Sequence, residues 1–190
     1  LTESECSLYL DTSGAPLWQR GLRKATVEAP LKENLAAGIL KLSGWQPGTP
    51  LVDPMCGSGT FLLEAAQMAL DRAPGLGRGF AFEKLAGFDA WAWAKLRSAA
   101  ESRCKPVTAL PIWGSDRDER AVRATRRNLQ EAGLGNVAQV VAADILELPA
   151  PAESGILIAN PPYGERIGEE EELAALYPQL GAALKRRWAG

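Results

Sequence analysis

The sequence predicts an α/β fold with a doubly wound, Rossmann-like parallel sheet, and three observations carry that expectation. Strand-type and helix-type apolar patterns alternate along most of the chain. A glycine-containing loop, "DPMCGSGT" at 53–60, joins a short apolar strand to an apolar helix, the unit with which parallel sheets open. Two later strand-like runs end in aspartate, at the sheet edge where such folds bind their ligands.

The elements follow in order. "SLYLDTSG" at 7–14 alternates apolar and polar residues into a turn signal, and "PLWQRGLR" behind it returns, so a small hairpin is expected. In "APLKENLAAGILKLSGW", at 29–45, Pro30 suits a first helical turn. Leu31, Leu35, Ile39 and Leu42 follow at helical spacing, and Gly44 ends the helix. Residues 1–45 thus read as a hairpin and helix ahead of the sheet, within one domain over 1–190. A strand at 50–53, the loop, and a helix over 60–70 come next. Residues 71–105 interrupt the rhythm with a Gly-rich loop and the helix "AWAWAKLRSAAESR". Strand "PIWGSD", helix "ERAVRATRRNLQEAG", strand "VAQVVAADI" and strand "GILIAN" complete the pattern, so four core strands are legible.

Bulk properties narrow the chemistry. The chain has 190 residues, 46% hydrophobic and 23% charged, an ordinary globular composition. It carries neither a spanning-length apolar run nor a signal-peptide pattern, so a cytoplasmic place without membrane contact is expected. The absence of histidine excludes imidazole acid–base chemistry and His-ligated metal, and the three widely spaced cysteines fit neither a zinc site nor a disulfide framework. No metal is expected. A net charge of −2 gives no global attraction for nucleic acid, so such a partner needs a local patch or another domain.

The motifs then take their places. In the loop, Gly57 and Gly59 let the backbone turn tightly beside a ligand, although a plain β-to-α turn uses glycine too. The loop has neither dinucleotide spacing nor a P-loop lysine. Asp116 can accept two ribose hydroxyls and Asp144 an adenine amino group, while each alone also suits a helix cap. In "ILIANPPYGERIG", at 156–168, two prolines remove two N–H donors and fix φ, so the chain leaves the sheet rigidly at Asn160. That stiffness suits acceptors held for a reacting nitrogen, and also suits a mere rigid loop.

"DPMCGSGT" followed by "NPPY" resembles the class I S-adenosylmethionine-dependent methyltransferases that modify exocyclic amines of nucleic-acid bases. The flanking "SLYLDTSGAPLWQRGLR", "EAPLKENLAAGIL", "APGLGRGFAFEKL" and "NPPYGERIG" are similar to the bacterial 23S rRNA guanine-N2 methyltransferases. The resemblance implies S-adenosylmethionine as cofactor, held by Asp53, Pro54, Cys56, Gly57, Gly59, Thr60, Asp116, Asp144 and Asn160, with Pro30, Leu31 and Asn34 near its methionine end. It implies catalysis by Asn160 and Pro161, base stacking on Tyr163, and RNA as partner, with Arg166 a candidate phosphate contact. It further implies an upstream THUMP domain and downstream sheet strands, the chain being cut after its fourth strand, which would leave a long apolar edge. Adenine-N6 methylation of DNA or RNA, or a noncatalytic cofactor- or RNA-binding module, remain the alternatives.

Overall fold

A computed structural model of the chain describes residues 5–21, 31–162 and 169–188. Four parallel strands form one sheet in the order β3-β2-β1-β4: β1 (Leu51–Asp53), β2 (Ile112–Asp116), β3 (Gln139–Ala142) and β4 (Ile156–Leu157). Helices α1 (Glu33–Leu42), α2 (Thr60–Ala69), α3 (Ala90–Ser102), α4 (Glu119–Glu131) and α5 (Glu169–Arg187) accompany them. The α/β class and the four parallel strands bear out the sequence, because each strand is a short apolar run bounded by local turn signals. No helix among the described residues is long and apolar enough to cross a membrane.

The core lies where β1 meets α2. Leu51, Ile112, Leu62, Leu63, Ala65 and Ala66 are buried there with Leu40 of α1 and Leu129 of α4. β1 is buried along its whole length, as a central parallel strand must be when helices cover both faces. α2 is buried on nearly every side, which fits a sequence that is apolar but for Thr60, Glu64 and Gln67.

Three expectations need correction. Described residues 5–21 hold no strand in place of the hairpin, and Leu8, Tyr9 and Leu10 are exposed. Arg78 takes the carbonyls of Ser13, Ala15 and Pro16, while Phe82 N–H donates to Thr12 O, so apart from local turns such as Gln19 N–H to Pro16 O this backbone bonds to a distant loop. α1 begins at Glu33, and its buried face is Glu33, Ala36 and Leu40. Leu35 and Leu42 are 51% and 89% exposed. Small Ala36 permits close approach to α2, and that packing outranks the larger side chains. Gly44 does end the helix, at φ +76°, in the left-handed region that glycine tolerates. The third correction concerns β4, which spans two residues and not a long edge, because Ser154, Gly155 and the prolines confine it.

Candidate cofactor and amine site

The site is built at the carboxyl ends of three adjacent strands. β1 ends in Asp53, whose residue is 1% exposed and whose Oδ1 accepts from Met55 N–H at 3.3 Å. Burial strips the carboxylate of hydration and pushes its pKa up to about 8. The Met55 N–H opposes that shift and the negative charge of Asp116 adds to it. The loop then folds back on β2: Cys56 N–H donates to Ser115 O at 2.9 Å, and Gly57 N–H to Asp116 Oδ2 at 2.9 Å. Gly57 and Gly59 both have φ in the left-handed region, +54° and +82°. A Cβ on Gly59 would lie 2.7 Å from Thr125 Cγ2, so the loop needs glycine there for space as well as for φ. Thr60 is buried at the start of α2.

Asp116 is tied at both oxygens, since Oδ1 accepts from Asp118 N–H at 2.9 Å. A carboxylate has about four acceptor sites, so two such bonds leave room for further donors. Asp144 follows β3 and accepts from Leu146 N–H at 2.9 Å, an Asx turn. The cap of α4 is Asp118 instead, accepting from Arg120 N–H. Pro54 is buried, and its carbonyl accepts from the Ser115 hydroxyl at 3.4 Å. Burial, then the nearby Asp53, raise the Cys56 thiol far above its ordinary pKa, so it packs as a small thiol and supplies no thiolate.

On the other flank, Ile158 N–H donates to Val52 O at 2.9 Å, which carries the β4 backbone on beside β1 to Asn160 and Pro161. The Pro162 carbonyl accepts from the Tyr177 hydroxyl of α5 at 2.9 Å. Tyr163, Arg166 and Pro30 lie outside the described residues. Asn34 sits exposed in the first turn of α1, and Leu31 is half-buried against the core.

Four contributors escaped sequence reasoning. Thr125 Oγ1 donates to Gly57 O at 2.8 Å, Asn128 Nδ2 donates to Ser58 O at 3.0 Å, and both residues are wholly buried. Their signal was present: both sit on the stripe of α4 that also carries Val122 and Leu129, where a polar residue needs a buried partner. Tyr177 showed no such signal. The fourth, Arg20, has Nη1 2.6 Å from Glu64 Oε2, an ion pair without aligned hydrogen-bond geometry. Burial still raises Glu64 to about 7, with Arg20 opposing the shift and Glu33 adding to it. This pair ties the N-terminal segment to α2, one turn behind the glycine loop.

A parallel sheet whose glycine loop, acidic strand ends and "NPP" exit share one edge defines a methyltransferase-type nucleotide fold. Residues 20–190 match the family model UPF0020, the RMKL-like methyltransferase domain, and the chain belongs to that family. It is 43% identical over 189 residues to a Synechocystis protein named "Putative RNA methyltransferase", covering 99% of this chain and 49% of that one. It is 40% identical to SMU.472, whose crystal structure is named "a putative methyltransferase complexed with SAH", at TM-score 0.85 over 93% of this chain and 46% of the other. A Listeria monocytogenes structure named "predicted N6-adenine-specific DNA methylase" is also 40% identical, at TM-score 0.83 with the same coverage. The chain thus spans about half the length of these relatives.

Proposed function

We propose that the protein transfers a methyl group from S-adenosylmethionine to the exocyclic N2 amine of a guanine in 23S rRNA. One observation carries the reading: β4 pairs in parallel with β1, so Asn160 leaves the sheet at the edge that holds Asp53 and the glycine loop. An amine-shaping group and a cofactor loop on one edge are what such a transfer needs.

The residues fit the cofactor. S-adenosylmethionine supplies an electrophilic methyl on a sulfonium, and it carries an ammonium as a second cation. A buried carboxyl that holds its proton to about pH 8 gains most from a cation beside it, and Asp53 is that carboxyl. Asp116, steadied by Gly57 and Asp118, keeps lone pairs for ribose hydroxyls, and Asp144 keeps acceptor capacity for the adenine amino group. The SAH bound to the SMU.472 protein supports the same cofactor here.

The amine is a weak nucleophile because its lone pair is delocalised into the purine. Asn160 supplies a side-chain carbonyl and Pro161 a backbone carbonyl that can grip its two N–H bonds. Proline geometry and the Tyr177 bond to Pro162 hold that segment in advance, so little ordering remains for the transition state. Tyr163 is the stacking platform for the flipped base in this reading, a contact worth about 1–3 kcal/mol. The name of the Synechocystis relative supports RNA as the substrate, and the motifs flanking "NPPY" support guanine and an upstream THUMP domain in the whole protein. The whole protein is then a cytoplasmic enzyme with further sheet strands beyond β4. The Listeria relative's name favours a second reading, adenine-N6 methylation, since the same two acceptors suit either amine. Mass spectrometry of rRNA nucleosides from a deletion strain separates them. Loss of N2-methylguanosine is expected, and loss of N6-methyladenosine with N2-methylguanosine intact would replace guanine by adenine.

A further inference from the structure

We infer that Thr125 and Asn128 are positioning residues that set the ribose acceptor of the cofactor site by holding the glycine loop from behind, an inference that rests on the cofactor reading above. Gly57 is gripped on both of its backbone polar groups. Its N–H donates to Asp116 Oδ2 at 2.9 Å, and its carbonyl accepts from Thr125 Oγ1 at 2.8 Å. The next carbonyl, that of Ser58, accepts from Asn128 Nδ2 at 3.0 Å. Thr125 and Asn128 stand three residues apart on α4, so they share one face of the helix and grip consecutive peptides. Both are fully buried, Ser58 is buried too, and Gly57 is half-buried, so a loop carbonyl deprived of its donor has little access to water in exchange.

The same helix begins just after Asp116, and Asp118 caps it while donating its own N–H to Asp116 Oδ1. The Asp116 carboxylate is therefore oriented from two sides that both lead back to α4, through Gly57 on one and Asp118 on the other. Releasing Gly57 O would free the Gly57–Ser58 peptide, and the glycine pivot between it and the Cys56–Gly57 peptide would then no longer be held, so the N–H that meets Asp116 would lose its support from α4. The tight contact a Cβ on Gly59 would make with Thr125 shows how closely α4 approaches the loop.

The test is calorimetric binding of S-adenosylhomocysteine to the full-length protein, with thermal midpoints measured in parallel. Thr125→Val keeps the shape and removes the donor. Thr125→Ser keeps the donor and removes the methyl. The expected result is about three- to tenfold weaker binding for Thr125→Val and near wild-type binding for Thr125→Ser, at whatever midpoints the two variants show. A packing role predicts the reverse order, and that order, or unchanged affinity in both variants, would overturn the inference. Asn128→Ala, with the same expected loss, serves if Thr125→Val does not fold, and unchanged affinity there would overturn it equally. Failure of the wild-type protein to bind S-adenosylhomocysteine would instead remove the cofactor reading, and this inference with it.

Discussion

A carboxyl buried as deeply as that of Asp53 keeps its proton until about pH 8, because ionisation there forfeits hydration that the Met55 N–H only partly replaces. In the unfolded chain the same group titrates near about 4. Between those values the folded state holds an extra proton, so the contribution to stability is complete below about pH 4 and falls as pH rises through the interval to about 8. Glu64, raised to about 7, adds a second slope of the same sign. Asp53→Asn should therefore lose less stability than wild type between pH 5 and pH 8, by at least about 1 kcal/mol, as read from urea midpoints. Equal losses would place the titration elsewhere. In the proposed reading Asn160 makes a different demand, because its carbonyl would matter most as the amine pyramidalises. Asn160→Ala should lower single-turnover methyl transfer about a hundredfold with S-adenosylmethionine affinity nearly unchanged, by analogy with deletion of one oxyanion-hole donor. Transfer at the wild-type rate would reduce "NPPY" to a rigid loop.

At the scale of elements, what the sequence disclosed and what it hid separate by the range of the forces involved. β1, the glycine loop and α2 were legible because each depends on neighbours within a few residues: an apolar run, left-handed glycines, an apolar helix. The loop, the aspartates that end β1 and β2, and Asp144 just beyond β3 were legible for the same reason. The buried face of α1 was not, since Ala36 and Leu40 face α2 while Leu35 and Leu42 face solvent, a choice made by the partner helix. The hairpin failed where its turn was expected, because the carbonyls of Ser13, Ala15 and Pro16 go to Arg78, more than sixty residues away. Tyr177 belongs with these long-range effects, for its hydroxyl meets the Pro162 carbonyl across fifteen residues. If that bond steadies the segment proposed to grip the amine, Tyr177→Phe should slow single-turnover transfer about three- to tenfold and change stability by less than about 1 kcal/mol, because the side chain is half-exposed. An unchanged rate would mean that the prolines alone suffice.

For the whole molecule, the outer edge of β4 is the feature with the largest consequence in solution. Ile156 and Ile158 give their N–H groups to β1, so the alternation of a strand turns the Leu157 N–H the other way, away from the sheet. Leu157 is 37% exposed, and beside it lies a groove of about 380 Å³ lined by Pro50, Val52, Ile156, Arg187 and Trp188. The indole N–H of Trp188 is buried with no hydrogen-bond partner among the described residues, a further donor that a strand laid into the groove could satisfy. Among the described residues no strand pairs with this edge, and unpaired edges of this kind recruit other strands. Two β4 edges related by a two-fold axis would pair antiparallel and cover both grooves, which makes a second copy of the chain the expected occupant for the 190-residue chain on its own. The edge is only two residues long, so few ladder bonds form and the association should be weak, visible at tens of micromolar and above. Leu157→Lys places a charge where the edges would meet and should return the chain to a monomer without unfolding it, because that side chain is already partly in solvent. Sedimentation velocity across a concentration series decides the matter, and a wild-type chain that stays monomeric at the highest concentrations would show that α5 and Trp188 already protect the edge.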